Sequence, residues 1–215
     1  MNAPGQTTPV SDVVLAASQF IRAEAALVTS VASELGTEFE AAAAMVATVD
    51  GKIVFSGAGT SGCIARRAAH LFTVSGTPAM FLHPADALHG RVACLQARDL
   101  LVVLSKGGDS DEVNTLVELA KDAGVHAIAL TSKEGSRLAA IADLIVVLPT
   151  DDVCDPGGLI AMGSTLAYSA WLDSLAYVLM RAKGYDFRQV HHSHPSGIVG
   201  KATSLPGPLE PLALP

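Results

Sequence analysis

Three short segments of this sequence bring together the residue types that can hold an anion. Gly57-Ala58-Gly59-Thr60-Ser61-Gly62 places glycines and hydroxyls between an apolar run and a helical stretch, formally a G-x-G-x-x-G. Ser105-Lys106-Gly107-Gly108-Asp109-Ser110 repeats that arrangement, and Thr131-Ser132-Lys133 follows a further apolar run. Glycines let backbone amides approach a phosphate, and the positive end of the helix that follows faces it. A dinucleotide-binding version of the first loop needs an acidic residue about 20 positions on, at the end of the next strand. His83-Pro84 stands there instead, with Asp86 slightly late. Two loops rich in hydroxyls and amides, side by side, suit one phosphate monoester better than a pyrophosphate. No nicotinamide or flavin cofactor is expected. Each hydroxyl taken singly has a second reading as an ordinary helix cap, so the constellation carries the inference.

These loops need a scaffold that brings them to one edge. The segments Lys52–Ser56, Ala79–His83, Leu100–Ser105, His126–Thr131 and Leu144–Leu148 are apolar without alternation, as strands buried on both faces are. Helical spacing covers Val13–Leu35 and Phe39–Val49, with Ser11 as N-cap of the first, then Ser61–Val74, Ser110–Ala123, Ser136–Ala142 and Leu159–Ala182. The β-α-β order predicts an α/β three-layer sandwich with a five-stranded parallel sheet flanked by helices. In such a sheet ligands bind beyond the carboxyl ends of the strands, where the loops above emerge. Residues 1–10 read as a disordered lead-in and 202–215 as an extended tail, with one domain over 11–201. That domain divides into N-terminal helices over 11–49, an α/β core over 50–183 and a loop with a histidine cluster over 184–201.

Composition narrows the function classes. The 215 residues are 50% hydrophobic and only 16% charged, below the roughly 25% usual for a soluble domain. Subunit contacts would account for such a surface, and a homo-oligomer is expected. The net charge of −7, with 14 Lys and Arg spread along the chain, argues against nucleic-acid binding. The uncharged stretch from Gly157 to Leu172 is shorter than the roughly 18 to 20 residues a membrane span needs, and no secretory signal opens the chain. A cytoplasmic protein without membrane partners is the expectation. The three cysteines, Cys63, Cys94 and Cys154, lack metal or disulfide spacing and read as small buried hydrophobes. Asp151, Asp152 and Asp155, with His191, His192 and His194, also lack the spacing of a known zinc site, so no metal is expected.

From about residue 52 to 201 the sequence resembles the sugar isomerase (SIS) domain family, and within it the arabinose-5-phosphate isomerase branch. The resemblance rests on Gly57 to Gly62, His83-Pro84-Ala85-Asp86-Ala87-Leu88-His89-Gly90, Ser105 to Ser110, Ala140 to Asp143 and Ser193-His194-Pro195-Ser196-Gly197. It implies a small-molecule sugar phosphate as ligand, and dimers or tetramers whose active sites are shared between subunits. The paired regulatory (CBS) domains frequent in the branch are not expected here. By position, Gly59, Thr60, Ser61, Ser105, Lys106, Gly107, Ser110 and Thr131 would surround the phosphate. His89 and His194 fall on the branch's active-site histidines, and Asp109 and Asp152 on or near its acidic positions. His83 and Arg91 are further candidate substrate contacts. Thr60 stands where the isomerase has Lys, Gly107 where the wider motif has Ser, and Asp109 where Glu is usual; Lys106 is expected to replace part of the lost positive charge.

The activity so implied is aldose–ketose isomerisation of a phosphorylated sugar through an enediol, most like arabinose 5-phosphate/ribulose 5-phosphate. It needs a base that titrates near neutrality for the carbon-bound proton, which favours His194 or His89 over the carboxylates. Loop histidines bonded only to backbone would look the same in sequence. A non-catalytic phosphosugar sensor and a 6-phospho-3-hexulose isomerase are the alternative readings.

Overall fold

A computed structural model describes residues 11–214. Five parallel strands, β1 (Ile53–Gly57), β2 (Ala79–Phe81), β3 (Leu100–Leu104), β4 (His126–Thr131) and β5 (Leu144–Val147), pair in the order β2-β1-β3-β4-β5. β1 and β3 are buried along their whole length and β4 at all but its first residue. Only the edge strands β2 and β5 are partly open. Alternate residues point to opposite faces. Ile53, Phe55, Leu100, Val102, Leu104, Ile128 and Leu130 belong to one core, and Val54, Leu101, Val103, Ala127 and Ala129 to the other.

The first face is covered by α1 (Asp12–Ser33), α2 (Thr37–Ala47), α3 (Gly59–Val74) and α7 (Gly163–Ala182), the second by α4 (Pro84–Leu88), α5 (Asp111–Asp122) and α6 (Arg137–Ile141). Ser11 caps α1 through the Val14 amide, as expected. α1 packs along α7 through Leu27 and Val31, while Val13, Val14, Leu15 and Ile21 stay exposed. By length and composition α1 could also cross a membrane. Two short helices follow α7: α8 (Phe187–Ser193), held by a capping box between Asp186 and Gln189, and α9 (Gly197–Gly200). The tail runs back along α7, where Glu210 O accepts from Arg181 Nε at 2.7 Å and Leu214 packs against the first core.

Several expectations are corrected. The last long helix begins at Gly163 and not at Leu159, because Pro156–Gly158 form a 3-10 turn in which Gly157 and Gly158 take φ of +68°, outside helical space. The His83–Gly90 segment, read without helix, forms α4 with Pro84 at its first turn. Of the three cysteines only Cys154 is buried; Cys63 is exposed on α3 and Cys94 is half-buried. The expected disordered lead-in over 1–10 lies outside the described residues.

The entry of β1 and β3 is fixed by one buried carboxylate. Asp99, 4% exposed, accepts from the Lys52 amide at 3.0 Å, the Gln96 amide at 2.9 Å and the Lys52 ammonium. Burial alone would raise its carboxyl, but the Lys52 ammonium and the two amides outweigh that and lower it. A depressed carboxylate stabilises the fold above its unfolded value near 4 and loses that contribution as pH falls through the folded value. Asp99→Ala should therefore cost about 3 kcal/mol at pH 7, the amides and the ammonium being left unpaired. The difference in denaturant midpoint from the parent should shrink below about pH 4.

Candidate functional site

The strand order reverses direction between β1 and β3, since β1 connects outward to β2 and β2 returns across to β3. At such a switch point the loops leaving two neighbouring strands diverge and open a crevice. The loops there are Gly57–Gly62 and Ser105–Ser110. They are held close: a Cβ on Gly57 would lie 3.0 Å from Leu104 O, and one on Gly62 would lie 2.5 Å from Gly57 O. No residue larger than glycine fits either position without moving backbone.

The two helix N-termini at this crevice differ. α3 opens on Ala58 with no side-chain cap and no acid in its first turn, and the amides of Gly59, Thr60 and Ser61 lack intrahelical partners. Gly59 and Thr60 are exposed and Ser61 half-buried. α5 carries Asp111 and Glu112 in its first turn, which already complement its dipole. The α3 end is thus the better seat for an anion. Ser110, N-cap of α5, makes no capping bond with its hydroxyl, which is half-exposed and free for a ligand.

The other expected phosphate residues are engaged within the protein. Ser105 is 6% exposed and its hydroxyl accepts from the Gly108 amide at 3.2 Å. Thr131 is fully buried, donating to Lys106 O and accepting from the Lys133 amide, both at 3.2 Å. Gly107 is exposed with open space around it. The Lys106 ammonium, expected to face the phosphate, lies 2.7 Å from the carboxylate of Asp155 and 3.1 Å from Gly158 O. Asp155 is fully buried and also accepts from the amides of Met162 at 2.7 Å and Ser164 at 3.1 Å. Burial would raise its carboxyl, but Lys106 and the amides at the start of α7 lower it to about 2. Nearby, the Tyr168 hydroxyl bonds Ser132 Oγ at 2.9 Å, and burial pushes it up to about 12. Asp155 was legible only as part of an acidic group, and nothing in the sequence marks Tyr168.

The carboxylates expected to act in catalysis sit apart from each other. Asp109 is exposed, bonded to Lys133 at 2.8 Å and to the Arg137 amide at 3.3 Å, and the Lys133 ammonium lowers its carboxyl. Asp152 is exposed beside Gly158 on the loop between β5 and α7.

The histidines are presented from two different places. His83 ends the β2 segment and caps α4, its Nδ1 accepting from the Ala85 amide at 3.2 Å. The proton of the neutral ring is therefore on Nε2, which makes His83 a donor. Its ring lies against Phe81, over which Arg66 stacks at 4.4 Å. His89 is exposed at the end of α4, and Arg91 is held near Asp86 at 3.4 Å. The Ser56 hydroxyl donates to Leu82 O at 2.7 Å, which ties this segment to β1. His194 ends α8, with Nδ1 2.7 Å from Val190 O. A carbonyl only accepts, so Nε2 of neutral His194 carries the lone pair and can act as a base. Among the described residues α8 and α9 make their main helix contact with each other. A cleft of about 500 Å³ runs along β5 between Glu34, Glu38, Glu134 and Asp143, and it contains none of these residues.

Known proteins are similar to this chain in sequence and in fold. The chain is 31% identical over 192 residues to arabinose 5-phosphate isomerase GutQ of Salmonella typhi, covering 89% of this chain and 60% of that protein. It is 34% identical over 151 residues to arabinose 5-phosphate isomerase KdsD of Shigella flexneri, covering 70% and 46%. The chain thus spans about half the length of the curated relatives it matches. Among solved structures, the complex of E. coli CFT073 c3406 with arabinose 5-phosphate superimposes with a TM-score of 0.83 at 28% identity, over 87% of this chain and all of that one. The sequence pattern of the SIS domain matches residues 45–177, a span that holds the sheet and both switch-point loops, and the chain belongs to the SIS domain family.

Proposed function

We propose that this chain is the isomerising domain of a cofactor-independent aldose–ketose isomerase for a phosphorylated sugar, most like arabinose 5-phosphate/ribulose 5-phosphate. The observation that carries the reading is the uncapped, acid-free N-terminus of α3 at the switch point, in a chain similar to arabinose 5-phosphate isomerases. In this reading the amides of Gly59, Thr60 and Ser61, with the hydroxyls of Ser61 and Ser110, hold the phosphate. The sugar then extends over the β2 side, where His83 and His89 meet its oxygens and Nε2–H of His83 donates to one of them. A base removes the proton from carbon two as oxygen one takes up a proton, giving an enediol; the carbon proton then returns to carbon one as oxygen two gives up its own, which leaves the ketose. His194 Nε2 is assigned that role, its Nδ1–H being held by Val190 O, and Asp152 is assigned to the proton transfers at the sugar oxygens.

In this reading the base comes from a second copy. α8 and α9 make their main helix contact with each other, and Ile198 on α9 is 92% exposed. Beside the phosphate loops Val153, Leu159, Ile160 and Met162 form an apolar lip without a partner among the described residues. A homo-oligomer in which α8–α9 of one subunit cover the lip of the next completes both sites, and the exposed stripe of α1 belongs to a subunit contact. The same burial leaves α1 no need of a membrane, in keeping with a cytoplasmic enzyme.

One observation favours a second reading, a phosphosugar sensor without turnover. With Thr60 in the cradle and Lys106 paired to Asp155, the described residues of the loops present no free cation to the phosphate.

Phosphorylated tetroses, pentoses and hexoses incubated in heavy water should reveal exchange of the carbon-two proton on at least one pentose. No exchange on any sugar, together with ligand-dependent thermal stabilisation, would instead establish the sensor. His194→Ala should lower exchange by about 10²- to 10⁴-fold and leave phosphosugar binding within about threefold. Retained activity would remove His194 from the mechanism.

Sharing of sites is tested by mixing. Gly62→Ala distorts the phosphate turn and His194→Ala removes the base. If each site draws on two chains, unfolding and refolding the two inactive variants together restores about a quarter of the parent activity in a dimer. A monomer by light scattering, or no recovery on mixing, would refute the shared site.

A further inference from the structure

Asp155 is fully buried, charged and unused by the chemistry above, and it gathers three segments at one point. Through Oδ1 it accepts from Met162 and Ser164 at the start of α7, and through Oδ2 it faces the Lys106 ammonium of the β3–α5 loop. Lys106 also bonds Gly158 O, while its own carbonyl accepts from the Ser132 amide at 3.0 Å and from Thr131 Oγ1. The loop on either side of Asp155 is anchored: Cys154 is buried, its carbonyl accepts from the Gly163 amide at 3.0 Å, and Gly163 leaves no room for a Cβ against Cys154. The cation carried by the second glycine loop is thus the link between the phosphate loop and the loop that carries Asp152.

We propose that Lys106 and Asp155 are a positioning pair that sets the 151–163 loop against the phosphate cradle, and that Lys106 is not a phosphate ligand. Drawing the ammonium off to a phosphate would leave a carboxylate without solvent or counter-charge, which is the costly way to break a buried pair. Its side chain keeps 26% of its surface exposed, so the ammonium does meet solvent; what holds it is the carboxylate and the carbonyl behind it. The consequence for the site is a neutralised centre at the second glycine loop, with the anion left to the amides of α3 and the hydroxyls. The inference deepens the proposed function, on which it rests, since it says which residue of the phosphate loop shapes the site without touching substrate.

The pair is tested with Lys106→Met, Asp155→Asn and the double variant in the full chain, with the melting temperature and three further readouts. Hydrogen exchange of the 156–163 amides reports the loop, calorimetry with inorganic phosphate reports the cradle, and turnover of the pentose phosphate reports the chemistry. Lys106→Met should speed exchange in 156–163 by tenfold or more and lower kcat by tenfold or more, with KM and phosphate affinity within threefold of the parent. The double variant, which leaves no lone buried charge, should recover most of the lost melting temperature and keep the parent's phosphate affinity. Lys106→Arg, which retains a cation, should restore loop protection in part if Lys106→Met is too unstable to study. A tenfold loss of phosphate affinity on Lys106→Met, equal in the parent and Asp155→Asn backgrounds, would make Lys106 a phosphate ligand and overturn the proposal. Unchanged exchange over 156–163 in every variant would overturn it as well. If the parent turns over no sugar, the isomerase reading fails while the exchange and phosphate arms still decide on the pair.

Discussion

The parallel pairing of β1 with β3 is the constraint on which this structure depends. Five consecutive residues of β1 match five of β3, from Ile53 opposite Leu100 to Gly57 opposite Leu104, and every one is buried. Parallel neighbours end at the same level, so the pairing delivers two loops to one edge in fixed register. Because β1 sends its chain to β2 on one side and β3 sends its chain to β4 on the other, the helices that follow diverge and leave the crevice open. Asp99 holds the opposite ends of the same two strands, so both edges of the pair are pinned.

What the crevice can bind follows from which partial charges remain unanswered. The chain has a net charge of −7, and the charged side chains near the loops are paired: Lys106 with Asp155, Lys133 with Asp109, Arg137 with Asp111 and Glu118. The α5 end carries its own acids. The α3 end has none, and its three leading amides are the unanswered positive charge. A helix end of this kind acts within about a turn and with direction, unlike a lysine on a flexible stem. A site built on it discriminates by shape, which agrees with the absence of steric freedom at Gly57 and Gly62.

The sheet was legible because buried parallel strands leave continuous apolar runs, and β1, β3, β4 and β5 fall within one or two residues of the runs that announce them. The glycine loops were legible in part for the same reason that they are constrained: at Gly57 and Gly62 only glycine fits. Helix α8 was missed although Asp186 and Gln189 spell a capping box, because its seven residues offer only Phe187 and Val190 as apolar positions, too few to establish a helical period. The start of α7 was read four residues early, since Leu159 and Ile160 continue the apolar pattern without being buried by it. The pairing of Lys106 with Asp155 joins residues on separate loops whose paths no local pattern encodes. Likewise the direction of the Thr131 and Ser105 hydroxyls, inward to backbone, depends on how the β3 and β4 loops cross, and residue type alone suggested the opposite.

The low charged fraction and the open state of the crevice come from the same residues. Val13, Val14, Leu15 and Ile21 on α1, Val153, Leu159 and Ile160 on the lip, and Ile198 on α9 are all at least half exposed, and none serves the core of its own chain. An isolated apolar residue at the surface needs no explanation, but groups gathered on one helix and one loop do. The lip is tied to the crevice through Lys106, which bonds Gly158 O, and α9 begins three residues after His194. Under the proposed assembly, the surface that a lone chain would leave in water is the surface that brings His194 to a phosphate cradle. Subunit contact and catalytic competence would then be one equilibrium: weakening the apolar contact removes a base from the site, and no change within the cradle itself can compensate for that.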